Sequence, residues 1–146
     1  MPFALPPVPA AAVARCHTAD LSASLGNLDA GAGSRFGKLV LENTSSRTCT
    51  LTGYVGGQFL GSGTKKLPTT VIRDASTVRT IIVKPGAKGV AEVRWTVIPS
   101  GNAKCPTPQA LLVTPPDETT SLRLTFHHGP VCGGELHVKA VRAQLA

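Results

Sequence analysis

Aromatic side chains are scarce in this chain, with four Phe, one Tyr and one Trp in 146 residues. A core short of large rings must draw on Leu, Val, Ile and Ala, which bury less area apiece, so cross-links would help to hold it. Carboxylates are scarce too: eight Asp and Glu stand against fifteen Lys and Arg, for a formal net charge of +7. Runs of like charge are missing. The basic residues are scattered singly, and only Lys65 and Lys66 are adjacent, which excludes an arginine-rich arm or a basic helix. With one Trp and one Tyr to stack on bases, nucleic acid is not an expected partner.

Familiar catalytic and metal motifs are absent as well. There is no Gly-x-Ser-x-Gly elbow. The run Gly61 to Lys66 (GSGTKK) lacks the glycine spacing and the following helix of a phosphate loop. Asp117 and Glu118 are adjacent, but in a Pro-flanked turn they are expected to be solvated and not to serve glycoside chemistry. No cysteine stands in a CxxC pair or at zinc-ribbon spacing. A blue-copper site needs a free thiolate, two imidazoles and usually a Met, and the only Met is Met1. No catalytic residue, metal site or cofactor is therefore predicted.

What the chain does contain is the punctuation of an all-β protein: fifteen Gly and twelve Pro, mostly between short β-branched runs. Lys38 to Tyr54 (KLVLENTSSRTCTLTGY) reads as a hairpin. Leu39 and Leu41 face one way and Lys38, Val40 and Glu42 the other, Asn43 to Arg47 make the turn, and Cys49, Leu51 and Gly53 are the inward set of the return strand. Asn43-Thr44-Ser45 matches a glycosylation sequon, but turn chemistry already explains it. A first strand is expected from about Asp20, with Gly26 to Gly33 as its turn. The Gly56–Gly57 pair marks a bend or sheet corner. Lys84-Pro85-Gly86 is a tight turn. Val90 to Ile98 (VAEVRWTVI) alternates most regularly of all and should bury Trp95 as the largest core side chain. Further strands are expected over Thr69 to Arg73, Thr77 to Val83, Ala110 to Thr114, Leu122 to Phe126 and Glu135 to Val141. About eight or nine short strands and no convincing helix predict a two-sheet antiparallel β-sandwich.

Residues 16–146 are the size of one domain. Residues 1–15 carry four prolines and form a Pro/Ala-rich tail or tether, too short and interrupted to span a bilayer. They lack the basic start and unbroken apolar core of a secretory signal, so an export signal, or a lipid anchor, is expected upstream. The four cysteines Cys16, Cys49, Cys105 and Cys132 read as a disulfide framework, which implies an extracytoplasmic home. Of three possible connectivities, Cys16–Cys49 and Cys105–Cys132 are preferred because each ties a strand edge to a sequence-local partner.

The chain resembles the family catalogued as domain of unknown function 4232, found in exported and lipid-anchored proteins of actinobacteria. The residues that carry the resemblance are Cys16 with Asp20-Leu21, Gly33-Ser34, and the run Leu39, Asn43-Thr44-Ser45-Ser46, Cys49, Leu51, Gly53-Tyr54. It continues through Pro85-Gly86, Cys105, Thr114-Pro115-Pro116 and Val131-Cys132, and departs at Val55, where a Pro is expected. The resemblance implies an immunoglobulin-like or cupredoxin-like Greek-key sandwich outside the cytoplasm, and no activity.

Two functions from different classes fit these features. The first is a non-catalytic binding module of the cell envelope, secreted or envelope-associated. It would show the loops Gly53 to Gly57, Gly61 to Pro68 and His127 to Gly134, with Tyr54, Lys65, Lys66, His127 and His128, to an envelope protein or an anionic envelope polymer. The second is an envelope metal-binding protein or enzyme that uses His17, His127 and His128.

Overall fold

A computed structural model describes residues 13–144. The alternating runs become eleven strands: β1 Leu21–Gly31, β2 Ser34–Asn43, β3 Cys49–Thr52, β4 Gly56–Leu60, β5 Thr70–Arg73, β6 Thr80–Val83, β7 Lys88–Thr96, β8 Ala110–Thr114, β9 Leu122–Thr125, β10 Glu135–Val138 and β11 Arg142–Ala143. The sole helical element among the described residues is a 3-10 turn, Thr18–Asp20. The strand count exceeds the expected eight or nine because the Gly56–Gly57 pair, expected as a bend or corner, instead opens the regularly paired strand β4, and because the closing segment breaks into β10 and β11. The Pro/Ala-rich tail expected at the start lies outside the described residues as far as position 12. Beyond it, the Ala14 carbonyl accepts the Thr50 N–H at 3.0 Å and the Cys16 N–H donates to Thr50 O at 2.8 Å.

One large sheet runs β1-β2-β7-β10-β5, with β11 also paired to β7, and two smaller sheets, β3-β6 and β4-β8-β9, pack against it. The fold is all-β and sandwich-like. Every strand pair is antiparallel except β5 with β10, which run parallel. Between the layers lie Leu39 and Leu41 of β2, Ala91, Val93 and Trp95 of β7, Leu51 of β3, and Leu111 and Val113 of β8, all buried as their alternation requires. Trp95 is the largest buried side chain, as expected. Its ring lies 5.0 Å from that of Phe126, which lies 5.2 Å from Phe59, so half of the chain's few aromatics meet at one point. The Trp95 indole N–H is buried without an acceptor among the described residues. Burying about 200 Å² of indole contributes roughly 5 kcal/mol, which outweighs the roughly 1–3 kcal/mol cost of an unpaired donor.

Both expected disulfides are present, Cys16–Cys49 and Cys105–Cys132, and no free cysteine remains. They close loops of 33 and 27 residues, each worth about 3–4 kcal/mol in the chain-entropy account.

Two local expectations are corrected. Gly26 to Gly33 is not a turn. β1 continues through it to Gly31 by placing one extra residue between the pairs Gly26↔Lys38 and Asp29↔Phe36, a bulge that lets antiparallel pairing resume. The reversal is the two-residue turn Ala32-Gly33, both at positive φ (45° and 84°), whose twist suits a tight hairpin.

The second correction matters more: Lys38 to Tyr54 is not a hairpin. β2 pairs with β1 and β7, and β3 pairs with β6 in the opposite layer. The chain crosses between layers at Asn43, which is 0% exposed. Its amide nitrogen donates to Arg47 O at 2.8 Å and to Val83 O at 2.9 Å, and its Oδ1 accepts from the Ser45 N–H at 3.0 Å and the Ser45 hydroxyl at 2.7 Å. Its backbone N–H and C=O bond to Ala87 O and Gly86 N. These bonds reward a corner, and a hairpin would forgo those to Val83, Gly86 and Ala87. They also enclose the sequon nitrogen.

Asn43→Asp keeps the acceptor but removes both N–H donors and buries a charge, so it is expected to lower the unfolding free energy by at least about 3 kcal/mol in urea titration. A loss under about 1 kcal/mol would show that the corner does not depend on this amide. Replacing Cys16 and Cys49 together by Ala is expected to cost about 3–4 kcal/mol in the same measurement.

Candidate functional site

Side chains that alternate with the core set point to solvent from the large sheet, and the strand registers place them in rows. In one row Asp29 of β1 stands across from Phe36 of β2, Phe36 from Arg94 of β7, and Arg94 from His137 of β10. In the next, Lys38 stands across from Glu92, whose carbonyl accepts the Lys139 N–H at 2.9 Å. Asp74 follows β5 and its N–H bonds to Val138 O at 2.8 Å, which brings it alongside His137. These residues bound an open groove of about 280 Å³, floored where Gly37 of β2 pairs with Val93 of β7.

The charges in the groove pair with one another. Asp74 Oδ1 is 3.0 Å from His137 Nδ1, and Asp74 Oδ2 accepts from Arg94 Nε at 3.3 Å. Arg94 Nη2 lies 3.0 Å from the same His137 nitrogen. A proton on Nδ1 serves Asp74, whereas a bare Nδ1 accepts from Arg94, so the tautomer selects which of the two neighbours the imidazole binds. His137 Nε2 faces Glu135 Oε2 at 3.4 Å. Glu92 pairs with Lys139 at 3.5 Å and Arg142 at 3.6 Å. The His137 hydrogen bond, aided by the Arg94 charge, holds the Asp74 carboxyl below its ordinary range.

Both nitrogens of His137 face carboxylates, and no hydroxyl or thiol is among its partners in the described residues. Ser76, two residues beyond Asp74, uses its hydroxyl on Asp74 O at 3.3 Å and the Ala140 N–H at 2.8 Å. The arrangement pairs no nucleophile with a base. Chemically it offers hydrogen-bond donors and acceptors on a rigid sheet beside a half-exposed phenyl ring.

The residues singled out from sequence lie elsewhere or act differently. Tyr54 is a brace: its hydroxyl donates to Asp74 O at 3.1 Å and lies 3.2 Å from Ser76 Oγ, and the Arg73 guanidinium sits 5.1 Å over its ring. Lys65 and Lys66 are exposed in the loop after β4. His127 is exposed, whereas His128 is partly buried with its ring 4.9 Å from Phe126 and 6.4 Å from Trp95. That burial, and then the neighbouring His127 charge, lower the His128 pKa. His17 lies 3.2 Å from Glu118. The structure does not gather the three histidines, and no group of three potential metal ligands occurs among the described residues. No helix among those residues is long and apolar enough to cross a membrane.

Sequence reasoning missed Phe36, Asp74, Arg94 and His137 as a set. The outward charges of β7 and β10 were visible in the alternation, but the pairing that makes them neighbours was not.

A model of the family described as domain of unknown function (DUF4232) matches residues 16–142. Among curated proteins and among solved structures nothing matches the chain.

Glu118, expected to be solvated, is instead a clamp 10% exposed at its side chain. It accepts from Arg15 Nε at 3.0 Å, the Thr18 N–H at 2.8 Å and the Thr18 hydroxyl at 3.1 Å, and so ties the domain entrance to the β8–β9 turn. The Thr18 N–H first, then Arg15, lower its pKa from 4.5 to about 2. A carboxylate that is more acidic folded than unfolded stabilises fully above its unfolded value, so this contribution is lost as pH falls from 4.5 toward about 2. Glu118→Gln is expected to lower stability at neutral pH and to flatten the fall in urea midpoint across that acid window. An unchanged acid profile would remove Glu118 from the clamp.

Proposed function

The chain belongs to the DUF4232 family over residues 16–142, and on that premise we propose that it is a non-catalytic, extracytoplasmic binding module of a bacterial cell envelope. The observation that carries the reading is the groove of Phe36, Arg94, Asp74 and His137 on the solvent face of the large sheet. A concave site with converging polar groups on paired strands is preorganised for recognition, and a sandwich commonly serves as its scaffold. Location outside the cytoplasm is supported by the two disulfides, which account for every cysteine and persist in oxidising compartments. The ligand is an envelope component, and the sheet face binds it in place of the loops Gly61 to Pro68 and His127 to Gly134.

The test is NMR titration of the isotopically labelled, oxidised domain with solubilised envelope extract at low and physiological salt. Shifts centred on Phe36, Arg94 and His137 are expected, and Arg94→Ala should weaken the response by about tenfold or more. Shifts confined to the loops, or none, would overturn the reading.

A further inference from the structure

Resting on the groove as the binding site, we infer that its ligand is a neutral glycan chain. The lining decides between chemistries by its balance. Three carboxylates, Asp29, Asp74 and Glu92, face the same space as three cations, Lys38, Arg94 and Lys139. A polyanion entering the groove meets the three carboxylates, and a polycation meets the three cations, so like-charge contact opposes either one. The formal net charge of +7 therefore resides mostly outside this site.

A sugar hydroxyl donates one hydrogen bond and accepts two, so it can use a carboxylate and a cation side by side. Asp74, held by Arg94 and His137 at 3.0–3.3 Å, still has free lone pairs, and the Arg94 guanidinium has N–H groups beyond the Nε bonded to Asp74. Because these planar groups are locked by one another and mounted on paired strands, binding costs little further side-chain ordering. Phe36, 43% exposed, supplies what the charges lack: a flat apolar ring on which the C–H face of a pyranose can shed water. Drug-sized ligands fill pockets of about 300–1,000 Å³, so a space of about 280 Å³ suits one or two sugar rings. It is an open groove and not a closed cavity, which lets the remainder of a polymer run out across the sheet.

The experiment is calorimetric titration of the oxidised domain with neutral hexasaccharides of glucose, mannose, galactose and arabinose, beside dextran sulfate and polylysine. At least one neutral hexasaccharide is expected to bind, with affinity changing less than about twofold between low and physiological salt because no ion pair forms. Phe36→Ala should weaken that binding by about tenfold or more, while Phe36→Tyr retains it. Failure of every neutral saccharide, or groove-mapped binding of dextran sulfate or polylysine with steep salt dependence, overturns the inference. If envelope extract still shifts the groove resonances in that case, the binding-module reading stands and only the glycan falls; if extract leaves the groove untouched, the module reading falls as well.

Discussion

The buried amide of Asn43 is the interaction on which the rest of the structure depends. It sits where the chain leaves the large sheet for the opposite layer, and its hydrogen bonds reach the turn after β2, the end of β6 and the turn before β7. Each bond is worth only about 0.5–1.5 kcal/mol net, but an amide buried without them would be costly. The corner is therefore stable only when β2, β6 and β7 are all in place. Cys49 lies just past it, so the bridge to Cys16 holds β3 in the layer that Asn43 sends it to.

The groove is a consequence of that frame. With β3 sent to the other layer, β2 is free to pair with β7 along nine positions, and β7 with β10. The parallel pairing of β10 with β5 then carries Asp74 up to His137. Ion pairs on an exposed sheet face contribute little to stability, typically under about 1 kcal/mol each. Their value here is orientation: Asp74 is held by Arg94 Nε at 3.3 Å and by His137 Nδ1 at 3.0 Å on a backbone that the core keeps rigid.

Much of the architecture was legible in the chain. The alternation of Ala91, Val93 and Trp95, of Leu39 and Leu41, and of Leu136 and Val138 announced which side chains would be buried, because successive residues of a strand point to opposite faces whatever the neighbouring strand. The disulfide pairing was one preference among three connectivities, and the structure bears it out. The bulge after Gly26 was hidden because glycine and asparagine carry the same local signal in a bulge as in a turn. Glu118 was read as solvated for a similar reason: its donors, Arg15 and Thr18, are about a hundred positions away.

The sequence by itself determined most of the strands, the two faces of each and the presence of a disulfide framework, since these rest on local backbone geometry and on cysteine number and spacing. Only the tertiary structure decided which strands are neighbours. The same run Lys38 to Tyr54 satisfies a hairpin and a layer-crossing corner equally in its alternation, and the choice falls to distant partners, Val83, Gly86 and Ala87, that complete the bonds of Asn43. Phe36, Arg94, His137 and Asp74 come from four separate segments. Their meeting on one face is set by long-range pairing, which no local pattern encodes.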